Sequence, residues 1–160
     1  TPPEIMQPAM ENVNIGLSRR DMPADNFRTN TFWAWHIKAD RDEAYRESRR
    51  ELAWRGRKLD PELLINWLTE EEAQFVQDSF TAYVTAYFDR TGIVKGVSDD
   101  INDRLMHGMT STGGLDALDR EIERFKLFHK QGLTEIALRL HEDPMDALKI
   151  IGEQVVPKLK

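Results

Sequence analysis

Cysteine is missing from all 160 residues, so a disulfide framework and a thiolate metal site are both excluded. No apolar run approaches the roughly 18 residues that span a bilayer, and the start of the chain carries no signal-peptide pattern. A cytoplasmic protein with no membrane partner is expected. A basic surplus is lacking too: the net charge is −6, which argues against general nucleic-acid binding. No stretch interleaves basic with aromatic residues as single-strand binders do. There is no Gly-x-Ser-x-Gly elbow, P-loop or Gly-x-Gly-x-x-Gly element. The four histidines (His36, His107, His129, His141) share no ligand spacing, so no metal site is expected. Low-complexity segments and short-period repeats are absent.

What the sequence does hold is an alternation of short β-forming runs and well-punctuated helices, in a length that suits one domain with a sizeable core. Residues 3–17 have helical spacing, with Ile5, Ala9, Val13 and Leu17 on one face. Residues 31–38 are rich in β-formers and read as a strand. Asp40 and Glu43 then form a capping box for a helix reaching about residue 58. On that helix Arg49, Arg50, Arg55, Arg57 and Lys58 interleave with Glu43, Glu47 and Glu51. They read as a solvated face with i,i+4 ion pairs rather than a phosphate-binding patch.

A short helix over 60–68 precedes a second capping box, Thr69 with Glu72. It opens a helix to about residue 90 with Ala73, Val76, Phe80, Val84 and Tyr87 in one stripe. Ser98-Asp99-Asp100 looks like another helix start, and residues 105–112 are read as the second strand. Gly113-Gly114 leads into an amphipathic helix with Leu115, Leu118, Ile122 and Phe125 inward, ended by Gly132. Residues 134–140 are the third strand. Asp143 caps the closing helix to residue 156, with Pro144 at its first position and Leu148, Ile151 and Val155 facing the core.

The expected fold class is therefore α/β, with about three parallel strands joined by right-handed crossovers and an extra helical insertion at about 60–104. A strand buried on both faces cannot stand alone, so the 134–156 unit implies an architecture larger than this chain. Thr1-Pro2-Pro3, without an initiator methionine, reads as a trimmed start.

Two segments carry a family resemblance. Trp35-His36-Ile37-Lys38-Ala39-Asp40-Arg41-Asp42-Glu43-Ala44 is similar to the sixth strand, acidic cap and following helix of the bacterial-luciferase-like superfamily. Phe125-Lys126, Lys130-Gln131-Gly132-Leu133-Thr134-Glu135-Ile136, Asp143-Pro144 and Ile150-Ile151-Gly152-Glu153-Gln154-Val155-Val156-Pro157 resemble that family's ending. The resemblance implies a partial TIM (β/α)8 barrel, with residues 1–160 as one domain holding strands six to eight. It implies a flavin- or deazaflavin-dependent oxidoreductase or monooxygenase acting on a small organic substrate. The cofactor, FMN or a deazaflavin, would find its main contacts outside this chain. The implied partners are the missing amino-terminal part of the barrel and further copies in a homo-oligomer, and the segment should be inactive alone. The family opens the loop after its seventh strand with a Gly-Thr-Pro-Glu-Glu-type turn. This chain has Ser111-Thr112-Gly113-Gly114-Leu115-Asp116 instead.

Active sites of such barrels lie at the carboxyl ends of the strands, which singles out His36 and Lys38, residues 109–112, and Arg139 and His141. The substrate-pocket candidates are His36, Thr110, Ser111 and Arg139. His36 lies beside Trp33 and Trp35, which could wall a flat ring; the favoured reading is that the tryptophans pack on helices and His36 makes one structural hydrogen bond. Arg139, inside an apolar strand, must meet an anionic ligand or a carboxylate such as Glu135 or Asp143. Gly113-Gly114 could cradle an anion at a helix start or simply turn the chain. His107 reads as buried mid-strand structure. Two rivals stand beside the family reading. One is a non-catalytic α/β interaction domain, suggested by Phe75, Phe80, Tyr83, Tyr87 and Phe88 nearly all round the 69–90 helix. The other is a different TIM-barrel enzyme, since fold does not fix function.

Overall fold

The computed structural model describes residues 2–21, 27–55 and 60–159. Three strands, β1 (Asn30–Ile37), β2 (Ser111–Gly113) and β3 (Glu135–Arg139), form an open parallel sheet in the order β2-β1-β3. β1 gives its carboxyl half to β2, with Trp35 opposite Ser111 and Ile37 opposite Gly113. It gives its amino half to β3, with Asn30 opposite Glu135 and Ala34 opposite Arg139. The central place falls to the longest strand, whose residues from Trp33 to Ile37 are all buried, as a parallel strand covered on both faces requires.

Eight α-helices accompany the sheet among the described residues: α1 (Gln7–Ser18), α2 (Arg41–Arg55), α3 (Pro61–Leu64), α4 (Glu70–Asp78), α5 (Phe80–Phe88), α6 (Asp99–Met109), α7 (Leu118–Lys130) and α8 (Pro144–Ile150). The architecture is α/β and compatible with part of a TIM barrel. In a closed barrel consecutive strands are neighbours; in this open sheet β3 lies against β1. No helix among the described residues is long and apolar enough to cross a membrane.

Two apolar clusters hold the elements. Trp33, Trp35 and Ile37 of β1 pack with Ile122, Phe125 and Phe128 of α7 and with Val155. Leu52 and Ala53 of α2 pack instead with Leu64, Val76, Tyr83, Leu105 and Met106 of the helices from α3 to α6. α2 thus stands between the sheet and the helical cluster. α1 docks lightly, since none of its residues is buried.

Several local expectations need correction. Residues 105–109 are the last turns of α6 rather than a strand. Ser98 Oγ accepts the Ile101 N–H to start that helix. Gly108 lies under the Trp67 ring, where a Cβ would come within 2.2 Å. The 69–90 helix divides at Ser79, whose hydroxyl donates to the Phe75 carbonyl at 2.8 Å, a back-bond that bends helices. The Thr69–Glu72 capping box is complete, and the Arg104 guanidinium holds the Glu72 carboxyl down at about 2. At Asp40 only half a box forms. Its carboxylate accepts the N–H groups of Asp42 and Glu43 at 2.9 and 3.1 Å, while Glu43 turns to Lys38. Leu115 and Leu148 are exposed, their expected places in the core taken by Ala117 and by Ala147 with Ile150. Asp143 makes no side-chain cap and adopts a left-handed φ of 55°.

Candidate functional site

The pleat of β1 sends alternate side chains to opposite faces. Trp33 meets Phe128 edge-on with ring centres 5.1 Å apart, and Trp35 lies 6.0 Å from Phe125. His36 points the other way, toward α2, whose inward stripe Ala44, Glu47, Ser48, Glu51 and Leu52 contains two glutamates. His36 is 1% exposed, and its Nδ1 lies 2.7 Å from Glu47 Oε1. The other Glu47 oxygen takes Lys38 Nζ at 3.0 Å and the Glu142 backbone N–H at 2.9 Å. His141 stacks on His36 with ring centres 4.5 Å apart. Buried Glu51 pairs with Arg139 at 3.3 Å and lies 3.9 Å from His141 Nε2.

The charges in this seam set one another. Burial pushes the Glu47 carboxyl up, but hydrogen bonds from His36 and Lys38 outweigh it and hold the group below its ordinary range. Burial likewise opposes the charge on Lys38, and Glu47 and Glu43 overcome it, so the ammonium is raised above its ordinary value. His141 is lowered, first by burial and then by the neighbouring His36. At neutral pH the seam therefore holds a carboxylate, an ammonium and a neutral His141.

At the carboxyl ends of β1 and β3, above this seam, lies a cavity of about 490 Å³, within the range of small-molecule sites. Trp35, Ile37, Leu115 and Ile150 supply apolar wall, and Lys38, Glu47 and His141 supply polar groups. Two of its lining residues carry buried polar atoms with no hydrogen-bond partner: Trp35 Nε1 and His141 Nε2. Buried polar groups are normally satisfied, so these atoms suit a ligand with acceptor atoms, such as a heteroaromatic ring bearing carbonyls.

The four sequence candidates fall around this cavity rather than on its wall. His36 lies one layer beneath it. Arg139, half exposed at its side chain, borders a neighbouring hollow with Glu51 and His141. Thr110 and Ser111 are fully buried on the far edge of the sheet. Thr110 Oγ1 donates to the Met106 carbonyl, and Ser111 Oγ accepts from Trp33 Nε1 at 2.9 Å and donates to Glu121 at 2.6 Å. Glu121, wholly buried, also pairs with Arg120 and Arg124, whose guanidiniums reach the carbonyls of Thr112, Thr110 and His107. That lattice ties β2 to α7. His107 lies on α6, its Nε2 2.5 Å from the Tyr45 hydroxyl. The Gly113-Gly114 turn is filled by its own chain, for a Cβ on Gly114 would stand 2.6 Å from Asp116 Oδ1.

Glu47, Glu51 and Glu121 escaped the sequence reading. The first two sit at i, i+3, i+4 and i+7 spacing with Ala44, Ser48 and Leu52, a core-facing pattern that hydropathy alone assigns to solvent.

No family model matches the chain. It is 27% identical to the 5,10-methylenetetrahydromethanopterin reductase of Archaeoglobus fulgidus over 161 aligned positions, which cover 99% of this chain and 46% of the reductase. The chain spans about half the length of the curated relative it matches. A reductase is an oxidoreductase, and the alignment runs through both segments that carry the family resemblance. Sequence resemblance and parallel α/β sheet agree: the chain is similar to a luciferase-like oxidoreductase over about half of that protein's length.

Proposed function

We propose that the chain forms the carboxy-terminal wall of a luciferase-like oxidoreductase that reduces a small organic substrate by hydride transfer. The observation that carries this reading is the alignment of nearly the whole chain with a protein named a reductase. Reduction needs no oxygen, so hydride transfer stands ahead of the monooxygenase reading. A deazaflavin, or FMN as the second choice, supplies the hydride when bound. A methylene-bearing tetrahydropterin, the kind of molecule in the relative's name, is the first substrate to try.

The chain's own residues would bind and orient. Trp35 Nε1 donates to an acceptor on a planar ligand, while the Lys38 ammonium, its three donors taken by Glu43, Glu47 and the Glu142 carbonyl, holds the cavity's polar wall in place. Neutral His141 offers a hydrogen bond without a charge. His36 acts from beneath by fixing Glu47 and stacking on His141, and Arg139 anchors Glu51. Thr110 and Ser111 hold β2 in register. Seven carboxylates line the cavity against two lysines, so it disfavours a phosphate. Cofactor phosphate contacts therefore belong on strands outside this chain, beyond the open edges of β2 and β3, where the rest of a barrel would continue.

The test is deazaflavin and FMN binding by absorbance titration of the full-length protein, followed by reduction of methylenetetrahydropterin. Trp35→Phe, which keeps an aromatic ring but removes the donor, should weaken ligand binding about tenfold, the worth of one buried hydrogen bond to a ligand. Failure of the full-length protein to bind either cofactor would sink the proposal. The rival interaction-domain reading draws on Phe75, Phe80 and Phe88, all exposed on α4 and α5, and would then take precedence.

A further inference from the structure

On another face of α2, away from the strand-end cavity, the geometry points to a second binding site, for a phosphate-bearing small molecule. Asp42, Tyr45, Arg46 and Arg49 recur at helical spacing on that face. With Arg90, Thr91 and Gly92 after α5, they line a groove of about 810 Å³. The lining holds five arginines (Arg41, Arg46, Arg49, Arg50, Arg90) against two aspartates, Asp42 and Asp103, on a chain whose net charge is −6. A cleft that reverses the sign of the whole protein concentrates anions within it.

Not all of that charge is spent on the fold. Arg49 forks onto Asp103 at 3.1 and 3.3 Å and reaches Asp99 at 3.2 Å, and Arg50 pairs with Glu142 at 2.6 Å. Arg41, lying over the Tyr45 ring at 5.4 Å, makes no ion pair among the described residues, nor do Arg46 and Arg90. Arg41 also hydrogen-bonds Tyr45, which leaves the Arg46 and Arg90 forks open; two forks exceed what one carboxylate accepts, whereas a terminal phosphate offers three oxygens with matching geometry.

The backbone holds Arg90 in place at a cost. The Arg90 N–H bonds the Tyr87 carbonyl at 3.2 Å and the Thr91 N–H bonds Ala86 at 3.0 Å, the paired bonds of a Schellman turn. Arg90 occupies its left-handed position with φ 54°, where glycine is the unstrained choice. Two residues on, Gly92 lets the loop come down onto α2, for a Cβ there would stand 2.8 Å from Arg49 Cβ. The result is an arginine presented from a strained turn across a groove from the arginines of a helix. Strain of this kind gathers at ligand clamps. The Tyr45 hydroxyl and His107, 2.5 Å apart, add hydrogen-bonding groups to the lining.

The test is calorimetric titration of the full chain with inorganic pyrophosphate at low salt, beside a thermal melt of each variant. Saturable binding of about one pyrophosphate per chain is expected. Arg46→Gln combined with Arg90→Gln should weaken it about tenfold or more. Lys126→Gln, an exposed cation on α7, should leave it unchanged. Arg90→Gly should melt higher and bind more weakly, a pair of effects that a purely structural arginine does not give. The site is overturned by an absence of saturable binding, by unchanged affinity in either arginine variant, or by an equal loss in Lys126→Gln.

Discussion

Two faces of α2 carry opposite charge and put it to different use. Toward the strand ends, Glu43 and Glu47 join a cavity wall of seven carboxylates and two lysines. Toward the groove, Arg46 and Arg49 join a wall of five arginines and two aspartates. The cavity side rests on buried charges that satisfy one another: Glu47 alone holds His36, Lys38 and the Glu142 N–H. The groove side is exposed, and three of its cations are left unpaired among the described residues. One helix thus carries an inner charge set committed to stability and an outer set available to a ligand. Burial makes the difference, because an unpaired charge is costly inside and nearly free in water.

The contrast can be broken most forcefully at Glu47. Glu47→Ala strips His36 Nδ1 of its partner and Lys38 of one of two carboxylates, and should cost about 3 kcal/mol in chemical denaturation. A loss below about 1 kcal/mol would mean that the seam behaves like a surface pair and that the two faces do not differ.

The same seam predicts a pH profile. His141 is lowered in the folded chain by burial and by His36. As pH falls from the ordinary imidazole value of 6.5, the unfolded chain therefore takes up protons first, and stability declines down to the folded value. The depressed Glu47 carboxyl contributes stability that is present above its ordinary 4.5 and lost as pH falls through its folded value. Lys38 is raised, so its contribution is present below its ordinary 10.5 and lost as pH rises through its folded value. Melting temperature against pH should show a plateau between the imidazole and ammonium limbs. Glu47→Gln should flatten the limb below 4.5 and keep the limb near 6.5, slightly deepened because Glu47 no longer favours the His141 cation.

Smaller effects are expected on the groove side. Gly92→Ala places a Cβ against Arg49 and should destabilise by about 1–2 kcal/mol through overpacking, read as a lowered melt. Arg90→Gly relieves the left-handed residue and should stabilise by about 1 kcal/mol. A neutral result there would remove the strain argument from the groove.

The two faces were unequally legible in the sequence. β1 and β3 announced themselves by short β-rich runs between turns, and the Thr69 cap and the Gly132 stop lie where their chemistry demanded. The second strand was read over 105–112, whereas α6 runs to Met109 and the strand begins at Ser111, because nothing local marks what Gly108 is for. It is a packing glycine beneath Trp67, and the ring that demands it lies some forty residues away in the sequence. Glu47 and Glu51 were read as partners for the arginines of their own helix. Their inward turn depends on His36, Lys38 and Arg139, which only the sheet brings near. Arg49 and Arg50 likewise reach Asp103 and Glu142 on other elements. Arg57 and Lys58 lie outside the described residues. Local grammar thus shows at Thr69 and Gly132, whose partners lie within a few residues, and fails where a partner arrives through the fold, as Lys38 draws Glu43 away from the Asp40 box.

The polar lining between β1 and α2 also gives the molecule a grain. β1 meets α7 through Trp33, Trp35, Phe125 and Phe128, contacts indifferent to protons, while β1 and β3 meet α2 through His36, Arg139, Glu47 and Glu51. Acid therefore parts β1 from α2 before it parts β1 from α7. α2 should leave with its helical neighbours while the tryptophan side stays shut, and that acid-opened half should still show native tryptophan fluorescence from β1.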